Sequence, residues 1–308
     1  MKIYLAGLYA NSFYNTGPLY RNKLTDEEKA IHDTVAPYIL ESYHYIGKGK
    51  RMSSKIRETN RRVFLDSGAF SSFTKGVTVN IEDYVRFIVE NKDIIIQEDG
   101  ALCASVLDAI GDYKSTFWNQ AKMQELGITP LPCYHYGEPK EVLDYYVQNY
   151  PYMTIGGMVP ISTPQLKIWL DRIWQYIVDE QGRPKTKVHG FGLTTLSLMQ
   201  NYPWYSVDSS AWVQVGSVGN IYFNHRIIPI SEHSPSRKKR DGHYDNLPKS
   251  QQEAIREYAE GKGFSIERLR VSYCSRWLFN CVYFKELNEH ITKDKPTTYQ
   301  QKMPGLFK

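Results

Sequence analysis

The sequence predicts an α/β fold, specifically a (β/α)8 TIM-type barrel with basic loop insertions. Two observations carry this expectation. Short apolar or β-branched runs alternate with longer amphipathic patterns about eight times. The longer patterns start and stop on residues that cap helices. A doubly wound open sheet shares this alternation and is the alternative. With 308 residues, 42% of them hydrophobic and 23% charged, the chain can bury a core without a disulfide or metal staple. We read 1–308 as a single domain.

The candidate strands, in order, are Lys2–Leu5, Val63–Asp66, Leu102–Leu107, Thr129–Tyr134, Met153–Gly156, Val188–Gly190, Trp204–Val207 and Asn220–Phe223. Each is short and apolar, as a strand buried on both faces should be. Between them, Asn80 can cap a helix whose apolar face is Ile81, Tyr84, Val85, Phe87 and Ile88. Asp112 can cap the next, which stops at Gly127. Pro139 suits a first helical position, and Thr163 can cap a helix with Leu166, Leu170, Ile173, Trp174 and Ile177 on one side. Residues 251–290 read as two further helices that complete the outer layer.

Two segments break the alternation. Residues 45–62 hold seven Lys/Arg against one acid, including Lys48, Lys50, Arg51, Lys55 and Arg57. Residues 231–250 carry Arg237, Lys238, Lys239 and Arg240. Both read as long loops. In a chain of net charge +5 they suit a phosphate backbone, although a solvated surface has the same composition.

No apolar run is long enough to span a bilayer, and the N-terminus reads as a first strand rather than a signal peptide. Four scattered cysteines fit a reducing cytoplasm better than a disulfide framework. Cys274 and Cys281 with His290 could supply three metal ligands, but their spacing matches no standard site. We therefore expect no metal. No phosphate-binding glycine loop argues for a nucleotide cofactor.

In a barrel the chemistry sits at the carboxyl ends of the strands. Those ends carry Asp66-Ser67-Gly68-Ala69-Phe70, Asp108, His135-Tyr136-Gly137-Glu138, Gly156-Gly157, His189-Gly190-Phe191-Gly192 and Asp208-Ser209-Ser210. One strand-end Asp often merely caps a helix. Three converging carboxylates will not share one pKa, so one can act as a nucleophile while another passes a proton. Gly156 and Gly157 would let a flat heterocycle approach the backbone.

Taken together and in this order, the motifs resemble those of the tRNA-guanine transglycosylase superfamily. Asp66-Ser67-Gly68-Ala69-Phe70 is similar to its DSGGF-type motif. Asp108 falls where that family has a base-recognising Asp. Ile155-Gly156-Gly157-Met158 resembles its GGL segment, His189-Gly190-Phe191-Gly192 its HxxG-type strand end, and Asp208 its nucleophile. The likeness spans about residues 60–212. His135-Tyr136 stands where the family has Gln-Gly, and the family's CxCxxC…H zinc site is missing. The compact form is most similar to phage-type DNA-guanine transglycosylases.

That resemblance implies replacement of guanine in DNA by a 7-deazaguanine such as preQ0, in the host cytoplasm, as protection against host nucleases. It implies Asp208 as nucleophile and Asp66 as general acid and base. Asp108, Ser67, the Gly156–Gly157 backbone, His135, Tyr136 and His189 would surround the base, with Phe70 and Met158 sandwiching it. No organic cofactor is implied. A tRNA substrate, an N-glycosidase on the same scaffold, and a non-catalytic nucleic-acid-binding barrel are the alternatives, and the oligomeric state is open.

Overall fold

The computed structural model describes residues 1–9, 22–36, 38–193, 195–238, 242–294 and 296–300. Its strands are β1 (Lys2–Ala6), β2 (Ile39–Ser42), β3 (Phe64–Asp66), β4 (Gln97–Glu98), β5 (Ala101–Leu102), β6 (Cys133–His135), β7 (Tyr152–Gly156), β8 (Lys187–Gly190), β9 (Ser206–Ser209), β10 (Asn220–Phe223) and β11 (Arg226–Pro229). Seven of them form one sheet in the order β3-β2-β1-β9-β8-β7-β6. Every pairing in it is parallel.

The sheet is curled, and its side chains show why. Residues two apart share a face. On one face, Tyr4, Leu40, Phe64, Cys103, Leu131 and Tyr152 form a small separate apolar cluster. Phe64 of β3 stacks on His189 of β8, with centroids 4.5 Å apart, and lies edge-on to Tyr152 of β7 at 6.3 Å. Three strands lie between β3 and β8 in the sheet order. These rings can meet only if the sheet wraps around them. The alternate residues, including Ile3, Leu5, Ile39, Leu65, Met153, Ile155, Val188 and Val207, join the larger core beneath the helices.

Two of the expected helix caps are observed, and Pro139, expected at a first helical position, instead stands at the N-cap of Lys140–Asn149. The Asn80 side chain accepts from the Asp83 N–H at 2.8 Å, opening the helix Ile81–Glu90. Asp112 accepts from the backbone of Lys114 and Ser115 to open Tyr113–Glu125. Thr163–Ile177 buries Leu166, Leu170, Ile173, Trp174 and Ile177 as expected, although its N-cap is Ser162. The stretch 251–290, expected as two helices, is divided among three, Lys249–Gly261, Ile266–Val271 and Tyr273–Asp294; the last packs on the sheet, where the Asn288 side chain accepts from the Ile3 N–H at 2.8 Å, and on the helix Ala211–Ser217, where Asn280 donates to the Trp212 carbonyl.

Several expectations are corrected. β2 had no counterpart among the candidate strands. The segment 45–62 is not a loop. It contains the end of the short helix Tyr43–Ile46 and the helix Arg51–Glu58, whose Met52, Ser53 and Ile56 are buried beneath the charges. In 231–250 two 3-10 turns, Pro235–Lys238 and Tyr244–Asn246, replace a plain loop. Asn220–Phe223 is a strand but not part of the parallel sheet. It pairs antiparallel with β11 through Asn224 and His225, both at positive φ as a tight hairpin turn requires. Of the expected strand Leu102–Leu107, Ala101–Leu102 forms a small antiparallel pair with β4. The residues after it make isolated parallel bridges, Leu65 to Ala104 and Ser105 to Leu131.

Candidate active site

The site is built on the carboxyl ends of β3, β6, β7, β8 and β9 and on the segment leading to Asp108. Asp66 ends β3 opposite Ser42. Its carboxylate accepts from the Gly68 N–H at 2.9 Å, in a turn where Gly68 has φ +77°. A side chain at Gly68 would run into Ser42 and His44, so the tight turn needs glycine. Burial, reinforced by the negative charges of Asp108 and Asp208, pushes the Asp66 carboxyl up to about 7, against the pull of the Gly68 N–H and the Ser42 hydroxyl. Asp108 and Asp208 thus lie close enough to act electrostatically on Asp66.

Asp108 is held from two sides. Ser67 Oγ donates to its Oδ1 at 2.9 Å, and His135 Nε2 lies 2.9 Å from its Oδ2. Ser67 is fixed in turn, its N–H donating to Ser105 Oγ at 2.9 Å. On the other side of the His135 ring, Nδ1 lies 3.1 Å from Glu138 Oε1, and Glu138 Oε2 accepts the His135 N–H at 3.0 Å. Burial works against a charged ring there. The adjoining Cys133 sulfur and the hydrogen bonds that Asp108 and Glu138 accept outweigh it and raise the pKa of His135. The Cys133 thiol is raised by its own burial.

The second half of the site centres on Asp208, which pairs with Tyr4 in register. The Gly192 N–H donates to its Oδ1 at 2.8 Å, and His189 Nε2 stands 3.3 Å from the same oxygen. His189 Nδ1 lies 2.7 Å from Ser206 Oγ, which lies 2.7 Å from the Tyr152 hydroxyl. With Nε2 donating to the carboxylate, Ser206 joins His189 Nδ1 to the Tyr152 hydroxyl. The four residues form one chain through the inside of the sheet. Both donors fall on Oδ1 of Asp208.

The other expected site residues differ in their surroundings. Tyr136 is 38% exposed and packs against Trp169, with ring centroids 5.0 Å apart. Met158 is buried, but Phe70 is 55% exposed on the helix Ala69–Thr74. The glycines at 156 and 157 also have a second purpose. A Cβ at Gly156 would sit 3.1 Å from both Cys133 Sγ and His135 Cδ2. One at Gly157, where φ is +66°, would sit 3.1 Å from the Tyr136 nitrogen. Contact with the neighbouring strand, and not only an approaching ring, excludes side chains there.

Among the basic residues, Lys48, Lys50, Arg51 and Lys238 are exposed. Lys48, Lys50 and Arg51 follow β2 and therefore leave from the Asp66 side of the sheet. Arg57 is taken up by Asp93, through hydrogen bonds of 2.6 and 2.7 Å, and Arg237 bonds Asp245 at 2.8 Å. Lys55 pairs with Glu58 within its own helix. Lys239 and Arg240 lie outside the described residues.

Sequence reasoning assigned no role to Glu138, Cys133, Ser105, Ser206, Gly192 or Tyr152. Cys133 and His135, two apart on one strand, carried a signal in their spacing. The Tyr152–Ser206 link, 54 residues apart, carried none. Cys274 and Cys281 are free and buried, His290 is exposed, and the three form no metal-ligating group among the described residues. The group of that kind is Asp108, Cys133 and His135. A scan against protein-family models finds no match to this chain, and a search of curated proteins finds none.

Proposed function

We propose that this chain is a base-exchange transglycosylase that replaces guanine in DNA with a 7-deazaguanine of the preQ0 type. The observation that carries the reading is the pairing of two unlike aspartates. Asp66 is raised to about 7, where it can give and take a proton. Asp208 has both donors on Oδ1, which leaves Oδ2 to react.

In the proposed double displacement, Asp208 Oδ2 attacks C1′ of the target nucleotide. The C1′–N9 bond breaks, its electron pair leaves with guanine, and protonated Asp66 supplies the proton. A glycosyl ester on Asp208 remains. The incoming 7-deazaguanine gives its N9 proton to Asp66, its N9 bonds C1′, and the ester bond breaks to restore the Asp208 carboxylate. The transition states are oxocarbenium-like, so the carboxylate beside C1′ also stabilises developing charge. Asp108, oriented by Ser67 and His135, accepts from the N1–H and amino edge of the base.

The scaffold we propose is the full (β/α)8 barrel. The bridges Leu65 to Ala104 and Ser105 to Leu131 support an eighth parallel stave between β3 and β6, closing the curled sheet. The target guanine must leave its stack to reach such a site. Lys48, Lys50 and Arg51 would hold the flanking backbone.

An exchange assay tests the reading. Purified protein is incubated with DNA or with tRNA, each labelled at guanine, plus preQ0. We expect label to leave DNA only, with the deazaguanine appearing in the digested nucleosides. Exchange in tRNA alone would move the chemistry to the other nucleic acid. Label loss without incorporation would replace exchange by hydrolysis, and no loss from either would refute the catalytic reading.

A further inference from the structure

We propose that Asp108, Cys133 and His135 form a binding site for a zinc ion, and that the ion and the heterocyclic base exclude each other. Three different donor types point their available atoms at one spot: Asp108 Oδ2, His135 Nε2 and Cys133 Sγ, all within 4.8 Å of one another. Nε2 and Sγ are 3.5 Å apart. Zinc–nitrogen bonds of about 2.0–2.1 Å and zinc–sulfur bonds of about 2.3 Å, at a tetrahedral angle, put those two atoms about 3.5 Å apart. Nε2 and Oδ2 are 2.9 Å apart, so they need to separate by only about 0.4 Å for the same geometry.

The atoms that would not touch the ion are already occupied. Ser67 holds Asp108 Oδ1, and Glu138 holds His135 Nδ1. A carboxylate on the far nitrogen of a metal-binding histidine fixes the ring and strengthens it as a ligand. On binding, the Cys133 thiol and the His135 ring nitrogen facing the ion would give up any proton they hold to solvent, and the resulting thiolate and the Asp108 carboxylate would neutralise the dication. The mixed sulfur, nitrogen and oxygen set favours zinc over magnesium or calcium, which prefer oxygen alone. Cys133 and His135 share a face because they are two apart on β6, and Asp108 reaches them from the neighbouring segment. Three protein ligands leave one tetrahedral position for a further ligand.

The exclusion rests on the base-exchange reading, in which Asp108 and His135 hold the base edge. The ion would take the same atoms. Zinc would then compete with guanine and with the 7-deazaguanine rather than assist the chemistry.

Cobalt(II) serves as the probe because it takes tetrahedral sites and reports a thiolate ligand by near-ultraviolet charge transfer. The full chain, stripped with a chelator, is titrated with cobalt alone and then with zinc. We expect one cobalt per chain, a charge-transfer band, intense tetrahedral visible bands, and displacement by zinc. Cys133→Ser should abolish the charge-transfer band, and Asp108→Asn should weaken binding at least about tenfold. Cys281→Ser, on the long C-terminal helix, should leave the band unchanged. Circular dichroism melting checks that each variant folds. No band, or a band that survives Cys133→Ser, overturns the site. Guanine should weaken the cobalt affinity in proportion to its concentration. If it has no effect while the band depends on Cys133, the zinc site stands, and mutual exclusion and the base-pocket assignment of Asp108 fall together.

Discussion

Replacing Asp66 by asparagine should make the protein more stable at pH 8 than the wild type, by a margin that vanishes in acid. The Asp66 carboxyl is lifted from an ordinary 3.8 to about 7 by burial and by Asp108 and Asp208. At about 1.36 kcal/mol per pH unit this corresponds to about 4 kcal/mol against the ionised form. Asp66 keeps partial solvent contact, so about 2 kcal/mol is the expected size after screening. Between about pH 4 and pH 7 the native state holds a proton that the unfolded chain has released. Stability contributed by that proton is therefore complete below the unfolded pKa and is lost as pH rises through the folded one. The amide oxygen introduced by Asp66→Asn can still accept from the Gly68 N–H, but the group cannot titrate. Urea unfolding of both proteins across the range from acid to pH 8 gives the difference directly. It should change by about 2 kcal/mol in favour of the variant, across the window from about pH 4 to pH 7. A difference that stays flat, or that favours the wild type as pH rises, would refute the assignment of Asp66 as a proton carrier near neutrality.

Further outcomes follow from the same geometry. His189→Leu removes a donor from Asp208 Oδ1 and should lower kcat about 100-fold with little change in KM, because a misplaced nucleophile affects the reacting step most; steady-state exchange kinetics check it, and a rise in KM alone would contradict it. Phe64→Ala empties the inside of the curled sheet, where Phe64 is fully buried on His189, and should cost about 3–5 kcal/mol in chemical denaturation. Gly156→Ala places a methyl group 3.1 Å from Cys133 and His135 and should cost about 1–3 kcal/mol while weakening base binding measured by calorimetry. If Lys48, Lys50, Arg51 and Lys238 each meet a phosphate, the logarithm of DNA affinity should fall against the logarithm of salt with a slope of about −3 to −4, shallower by about 1 for each cation removed.

The strand ends were legible in the sequence because short apolar runs stop where a polar residue begins a turn. Asp66 and Asp208 could be read that way, and so could the helices opened by Asn80 and Asp112. The basic segment 45–62 was misread because its helix buries only Met52, Ser53 and Ile56, a stripe too thin to stand out among seven cations. The strand Asn220–Phe223 has the composition of a sheet member, but its turn residues Asn224 and His225 direct it into a local hairpin. The site was half legible. Residue types and their order pointed to the carboxylates. The links among Tyr152, Ser206, His189 and Asp208 depend on three strands arriving side by side, and no local pattern encodes that register. Glu138 stands only three positions after His135, yet nothing in the sequence distinguishes it from an ordinary surface acid after a turn.

The central claim is that Asp208 forms a covalent bond to the sugar. The direct measurement is mass spectrometry of the protein after acid quench during turnover on a guanine-containing oligonucleotide, with peptides mapped after digestion. The account predicts an adduct on the peptide carrying Asp208, absent in Asp208→Asn and discharged on adding preQ0. Exchange that proceeds with no adduct on Asp208, or an adduct that persists in Asp208→Asn, would contradict it.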